Sequence, residues 1–174
     1  MKEILAIVLT SYFILFASPA FATEINEAKL VELANQERTL RGLNPLIVDY
    51  SLYFAAKNKA SDMIEKDYFD HYSPDGKTPW AFINGSGYKY VSAGENLAMD
   101  FRTSEGIHRA WMNSPAHKDN IVDKDFENIG IAVVKGDFSE HETTMVVQMF
   151  GQKRQSNNPF SNLISKITQF LIGF

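Results

Sequence analysis

The sequence predicts an α+β domain or a layered αβα arrangement, and three observations carry that expectation. Helical periodicities lead the chain. Two β-branched and apolar runs, Asn128 to Val134 and Thr143 to Phe150, follow late, separated by a polar stretch containing Gly136, so they should pair antiparallel. A further strand is expected between Tyr88 and Asp100, which puts helical and strand signals in local alternation with no internal repeat.

The first residues stand apart as a targeting segment. Lys2 supplies a positive start, Ile4 to Phe16 is nearly unbroken apolar sequence, and Ala20-Phe21-Ala22 is a small-residue exit, the pattern of a cleavable signal peptide over residues 1–22. The run is short for a bilayer span, so the expected mature protein is secreted, with association to the cell envelope left open. Removing 22 of 174 residues leaves 152, one domain with a full hydrophobic core, expected over 23–151. The absence of cysteine excludes a disulfide framework and a thiolate metal site. A formal net charge of -4 gives no electrostatic reason to expect a nucleic-acid partner.

Along the chain, Ile25, Ala28, Leu30, Val31, Leu33 and Ala34 fall at helical spacing, and Gly42 with Pro45 ends that helix. Glu27, Glu32, Glu37 and Arg38 on its polar side read as solvated charges. Asp49 is an N-cap for a second helix, whose stripe of Leu52, Ala55, Ala56, Ala60, Met63 and Ile64 runs toward Tyr68-Phe69. Met63 on that stripe reads as core. Thr78 and Pro79 start a short third helix that Gly85-Ser86-Gly87 breaks, and another begins near Thr103 and carries Ile107, Ala110 and Trp111. Ser114-Pro115 then restarts the chain as cap and first-position proline, with His117 in the opening turn. After Gly151 a polar linker over 152–159 leads to residues 160–174, where Phe160, Leu163, Ile164, Ile167, Phe170, Leu171 and Phe174 recur at helical spacing. This amphipathic helix reads as a docked C-terminal helix or a dimer contact; membrane contact is the less favoured reading, because its polar side carries only Lys166 as a cation.

Three segments concentrate the unusual chemistry: Phe69-Asp70-His71-Tyr72-Ser73-Pro74-Asp75-Gly76, Ala93-Gly94-Glu95-Asn96-Leu97-Ala98, and Trp111-Met112-Asn113-Ser114-Pro115-Ala116-His117-Lys118-Asp119-Asn120-Ile121. Each sets a titratable side chain beside turn or cap residues, where binding and catalysis gather. If the three converge, two imidazoles and one carboxylate suit Zn²⁺ or a similar divalent ion with an open coordination position. His108 reads instead as a surface or packing residue, His141 as part of a polar hairpin loop, and Asp75-Gly76 as a turn.

These segments, in this order, resemble the signature segments of bacterial members of the CAP superfamily, the cysteine-rich secretory, antigen 5 and pathogenesis-related-1 group with its SCP-like domain. Asn128 to Val133, Val147 to Gly151, and the break Leu40-Arg41-Gly42-Leu43-Asn44-Pro45-Leu46 extend the likeness over about Ile25 to Gly151. The resemblance implies a three-layer αβα sandwich around a mainly antiparallel sheet, and a cleft lined by His71, Glu95 and His117 that sometimes holds a divalent metal. Asn96 is expected to brace its loop. Eukaryotic members of that superfamily commonly carry a second cleft glutamate shortly after the tryptophan matching Trp111; Met112, Asn113 and Ser114 stand there instead, and neither Glu105 nor Glu127 occupies the matching position.

Two functions follow as expectations. The first is a non-catalytic secreted binding module: the resemblance implies a lipid, a sterol-like ligand or a cell-envelope or host partner, and Ser73 and Ser114 read as turn and cap residues rather than nucleophiles. The second is a metal-assisted hydrolase, peptidase-like, with His71 and His117 as ligands and Glu95 as ligand or general base.

Overall fold

The computed structural model describes residues 24–155 and Ile167. The expected signal peptide, the rest of the C-terminal helix and residues 156–159 of the linker lie outside the described residues. The elements run α1 (Glu27–Leu40), β1 (Ile47–Val48), α2 (Tyr50–Glu65), α3 (Pro79–Gly85), β2 (Tyr90–Met99), α4 (Ser104–Asn113), α5 (Pro115–Val122), β3 (Asn128–Phe138) and β4 (His141–Lys153). Among the described residues, no helix is long and apolar enough to cross a membrane.

The four strands form one sheet in the order β1-β3-β4-β2. β1 lies parallel to β3, whereas β3 with β4 and β4 with β2 are antiparallel. Side chains alternate across a strand, and β4 shows what that demands here. Met145, Val147 and Met149 pack with Leu52, Ala56, Met63 and Ile83 under α2 and α3, while Val146 and Phe150 pack with Leu30, Ile107, Trp111 and Ile121 under α1, α4 and α5. Both faces are therefore buried, and the expected three-layer αβα sandwich with a mainly antiparallel sheet is the observed fold.

The caps follow the sequence signals. Asp49 accepts the Ser51 N–H at 2.8 Å, Thr78 accepts the Ala81 N–H at 3.2 Å ahead of Pro79, and Thr103 accepts the Gly106 N–H at 3.0 Å. Ser114 occupies the N-cap position of α5, but its side chain makes no capping bond. α2 ends at Glu65, short of the expected Tyr68-Phe69, because Asp67 takes a positive φ of 53° and the Tyr68 N–H returns to the Met63 carbonyl at 3.1 Å. The β3–β4 hairpin is longer than the apolar runs suggest. Its two-residue turn, Ser139 and Glu140, has positive φ at both positions (47° and 66°), the geometry that matches strand twist, so the polar residues beyond Val134 continue the ladder. His141 thus opens β4, and β4 runs on through Gln152 and Lys153 into the polar segment. The two-residue strand β1 carries no periodicity and is not foreseen.

Two further corrections concern α1. Ala28, counted on the apolar stripe, is exposed, and Arg38, read as a solvated charge, is completely buried. The buried row is Leu30, Ala34 and Arg38 at four-residue spacing. Arg38 donates Nε to the Asn44 carbonyl at 2.8 Å, Nη1 to Ile121 and Asp123 at 3.0 and 2.7 Å, and Nη2 to Phe126 at 3.0 Å. The guanidinium fork therefore binds the end of α5 and the chain leading to β3, taking up carbonyls that no ladder serves. On the other face, a Cβ at Gly130 would stand 2.2 Å from the backbone of Leu52 and Tyr53, so α2 can approach β3 only over a glycine.

Arg38→Ala should lower unfolding free energy by at least about 3 kcal/mol, because it leaves several buried carbonyls without donors. Gly130→Ala should cost about 1–3 kcal/mol through overpacking. Urea denaturation followed by circular dichroism measures both.

Candidate functional site

The first signature segment follows α2 and is held from beneath by that helix. Lys59, buried on the helix face, donates Nζ to the carbonyls of Asp70 and His71 at 2.7 and 2.9 Å and to the Tyr68 hydroxyl at 3.0 Å. Asp62, one turn further, accepts the Tyr68 and Ser73 hydroxyls at 2.6 and 2.9 Å and pairs with Lys66 at 2.7 Å. Burial alone would raise the Asp62 carboxyl, but Lys66, Tyr68 and Ser73 together lower it to about 2. Ser73 also closes a turn, its N–H donating to the Lys77 carbonyl at 3.0 Å and its carbonyl accepting from Gly76 at 2.8 Å. The loop presents His71 as a consequence of this lattice. Neither Lys59 nor Asp62 was foreseen from the sequence, because a lysine and an aspartate on a helix read as surface residues until the packing of the following loop is known.

Glu95 comes from β2, the edge strand opposite β1, and shares the face of Leu97, which packs beneath α2 and α3. Its side chain is 2% exposed, and its Oε1 lies 2.7 Å from Nδ1 of His71, whose own side chain is 48% exposed. Burial raises the Glu95 carboxyl above the ordinary range, while the His71 hydrogen bond and the nearby Lys59 charge pull it back part of the way. The hydrogen bond to Glu95 raises the His71 imidazole, against the opposing effect of partial burial. The second carboxylate oxygen, Oε2, is buried with no hydrogen-bond partner among the described residues.

Asn96 is fully buried on the opposite face of β2, paired in register with Gln148. Its amide donates to the His117 carbonyl and to Gln148 Oε1, each at 3.0 Å, and its Oδ1 accepts from Asn120 at 2.9 Å. Asn120 donates also to the Glu95 carbonyl at 3.1 Å, and Trp111 Nε1 donates to the Leu97 carbonyl at 2.9 Å. Helices α4 and α5 are thus fastened to the sheet edge through side-chain donors, as bracing by Asn96 requires. A Cβ at Gly94 would meet Asn120 Oδ1 at 2.6 Å, so this packing also depends on a glycine.

His71, Tyr72, Pro79, Trp80, Ala93, Gly94, Glu95 and Asn120 enclose a cleft of about 380 Å³. His117 does not line it: the structure ties this residue to the site through its main chain. Its imidazole lies below the ordinary value because of partial burial and the charge of His71. His108 is likewise lowered, by burial. Among the described residues no group of three or more histidine, aspartate and glutamate side chains is arranged to hold a metal ion. Glu95 Oε2 has the chemistry of a ligand, His71 Nδ1 is engaged with Oε1, and His117 is near enough to feel the His71 charge.

A layered domain with a polar cleft beside its β2 edge is the class that fold and site define. The chain belongs to the cysteine-rich secretory protein family, CAP, whose model matches residues 31–150, although it contains no cysteine itself. It is 43% identical over 109 residues to the uncharacterized protein YkwD of Bacillus subtilis (strain 168), a match covering 63% of this chain and 42% of that protein. It therefore spans less than half the length of this relative. Among solved structures, an outer surface protein from Borrelia burgdorferi aligns with TM-score 0.64 and 25% identity over 73% of this chain and 92% of its own. An extracellular protein containing a SCP domain from Bacillus anthracis str. Ames shares the fold with TM-score 0.63 at 24% identity, over 73% of this chain and 40% of its own.

His71 should titrate above about 6.5, the ordinary imidazole value, and His108 and His117 below it, as followed by NMR of the ring protons. Glu95→Gln should move His71 back toward the ordinary value. The sign for stability follows: the folded state holds the His71 proton more tightly than the unfolded chain, so its contribution is complete below about pH 6.5 and is lost as pH rises through the folded value.

Proposed function

We propose that the protein is a secreted binding module of the CAP family, whose cleft around His71 and Glu95 takes a ligand of the cell envelope or a host surface without performing chemistry on it. The observation that carries this reading is the state of Glu95. Its side chain is sequestered and one oxygen is engaged by His71, which suits a fixed recognition group better than a base that must exchange protons with substrate and solvent. Two hydroxyls near the site are engaged elsewhere: Ser73 donates to Asp62 at 2.9 Å and Ser92 to Gln152 at 3.3 Å. Neither is paired with a histidine as an activated nucleophile would be.

The signal-peptide pattern at the N-terminus supports export, as do solved relatives described as an outer surface protein and an extracellular protein. A lipid or sterol-like ligand and a protein partner of the envelope both remain within this reading. The competing reading, metal-assisted hydrolysis, requires His117 to join His71 and Glu95 around Zn²⁺ or a similar ion.

Two measurements test the proposal. The natively purified protein should be retained by at least one of phosphatidylglycerol vesicles, sterol vesicles, peptidoglycan sacculi or solubilised envelope proteins, and His71→Ala should weaken that retention at least tenfold. Metal analysis should find no stoichiometric divalent ion that His117→Ala removes. Failure of all four retentions, or a stoichiometric metal accompanied by peptide hydrolysis that His117→Ala abolishes, would overturn the proposal.

A further inference from the structure

β2 is an edge strand, and its two halves are treated differently. The outward carbonyls of Glu95 and Leu97 are occupied by Asn120 and Trp111, so the half toward Met99 is closed to another strand. Because main-chain groups repeat every two residues along a strand, the N–H and C=O of Ala93 point to the same outer side. The neighbouring strand gives the same answer independently. Gly151, the register partner of Ala93, offers its carbonyl to the Glu127 N–H on the β3 side at 3.1 Å, so it does not bond Ala93. No residue among those described accepts or donates to the outer main-chain groups of Ala93, and Ala93 lies in the wall of the cleft.

Natural sheets usually blunt such an edge, and here the ladder to β4 is irregular between Tyr90 and Ser92, which confines the regular open edge to Ser92 to Glu95. Here the open half is set between exposed side chains: Tyr72 is 62% exposed, Val91 64% and Trp80 36%. Beside them sits Glu95 Oε2, a buried acceptor with no donor among the described residues. A backbone ladder flanked by alternating apolar contacts and one hydrogen-bonding position is the requirement for strand addition. A second copy of this chain is a poor occupant, since its own β2 offers only the same short open half, the carbonyls of Glu95 and Leu97 being taken by Asn120 and Trp111; a free extended chain has no such closed half.

We propose that the ligand of the cleft is an extended polypeptide segment of a partner protein, which adds as a short strand to β2 at Ser92 to Glu95, with a donor side chain directed to Glu95. This inference rests on the binding-module reading and names its ligand.

The test uses the full-length chain as bait for phage-displayed random decapeptides, followed by synthesis of the selected decapeptide and binding by fluorescence polarisation. An added strand presents every second N–H to β2, so N-methylation of one alternate set of its residues should weaken binding at least tenfold, while methylation of the other set should change it less than twofold. The Ala93 amide of the unaltered protein should exchange at least tenfold more slowly when the decapeptide is bound. Ala93→Pro removes the outward N–H while sparing the β4 ladder, a placement that edge strands tolerate, and should weaken binding at least tenfold. Should that variant not fold, the methylated peptides and the exchange measurement on the unaltered chain still decide.

Equal effects of the two methylated sets, or unchanged Ala93 exchange, would overturn strand addition. So would chitotetraose perturbing the NMR signals of Ala93 and Trp80 while no decapeptide is selected. If decapeptides fail but vesicles or sacculi still retain the protein through His71, strand addition falls and the binding-module reading stands; if nothing is retained, both fall.

Discussion

Burial of both faces of β4 is the constraint from which most of this structure follows. With no cysteine available for cross-linking, the domain relies on apolar packing, and β4 is covered by helices on each side along residues 145–150. A strand in that position must be apolar at nearly every residue, which is why Met145-Val146-Val147 and Met149-Phe150 form an almost continuous run. The one interruption, Gln148, is buried and needs partners. Asn96 on β2 supplies one, and through Asn96 the requirement passes to Asn120 and the main chain of His117. The site geometry on that side is therefore inherited from the sheet.

The buried cations work in a related way. Arg38 and Lys59 sit on different helices and on opposite sides of the sheet, and both spend their donors on main-chain carbonyls of irregular segments. Burial lowers the pKa of each, the usual cost of removing a cation from water, and the hydrogen bonds they donate offset part of it. Arg38 orders the passage from α5 into β3, and Lys59 orders the loop that presents His71. A loop would otherwise leave its carbonyls either exposed or unpaired. Helix packing and loop conformation are consequently one problem in this domain.

Among the described residues the cleft combines a sequestered carboxylate with an unpartnered oxygen, a half-exposed imidazole bonded to it, exposed aromatic side chains and an unpaired stretch of sheet edge. Each has a structural origin in the layers beneath, yet the sum leaves hydrogen-bonding groups and apolar surface turned toward the same space. The proposed recognition of a ligand would use that combination directly.

Much of this was legible along the chain. Asp49, Thr78-Pro79 and Thr103 announced the helix starts, since caps and first-position prolines act on neighbouring backbone groups only. The apolar runs announced β3 and β4, and the segments around His71, Glu95 and His117 drew attention to the cleft. The sequence could not reveal that Arg38 and Lys59 are interior, that β1 pairs with β3, that the hairpin extends to Phe138 and His141, or that Glu95 meets His71 while His117 is joined through its carbonyl. What the sequence determined by itself was the set of local elements and the residue types available to a site, because capping, periodicity and turn chemistry depend on neighbours in the chain. Which of those residues meet, which charges are buried and which strand edge stays open was decided by tertiary packing, because those outcomes depend on groups brought together from distant positions.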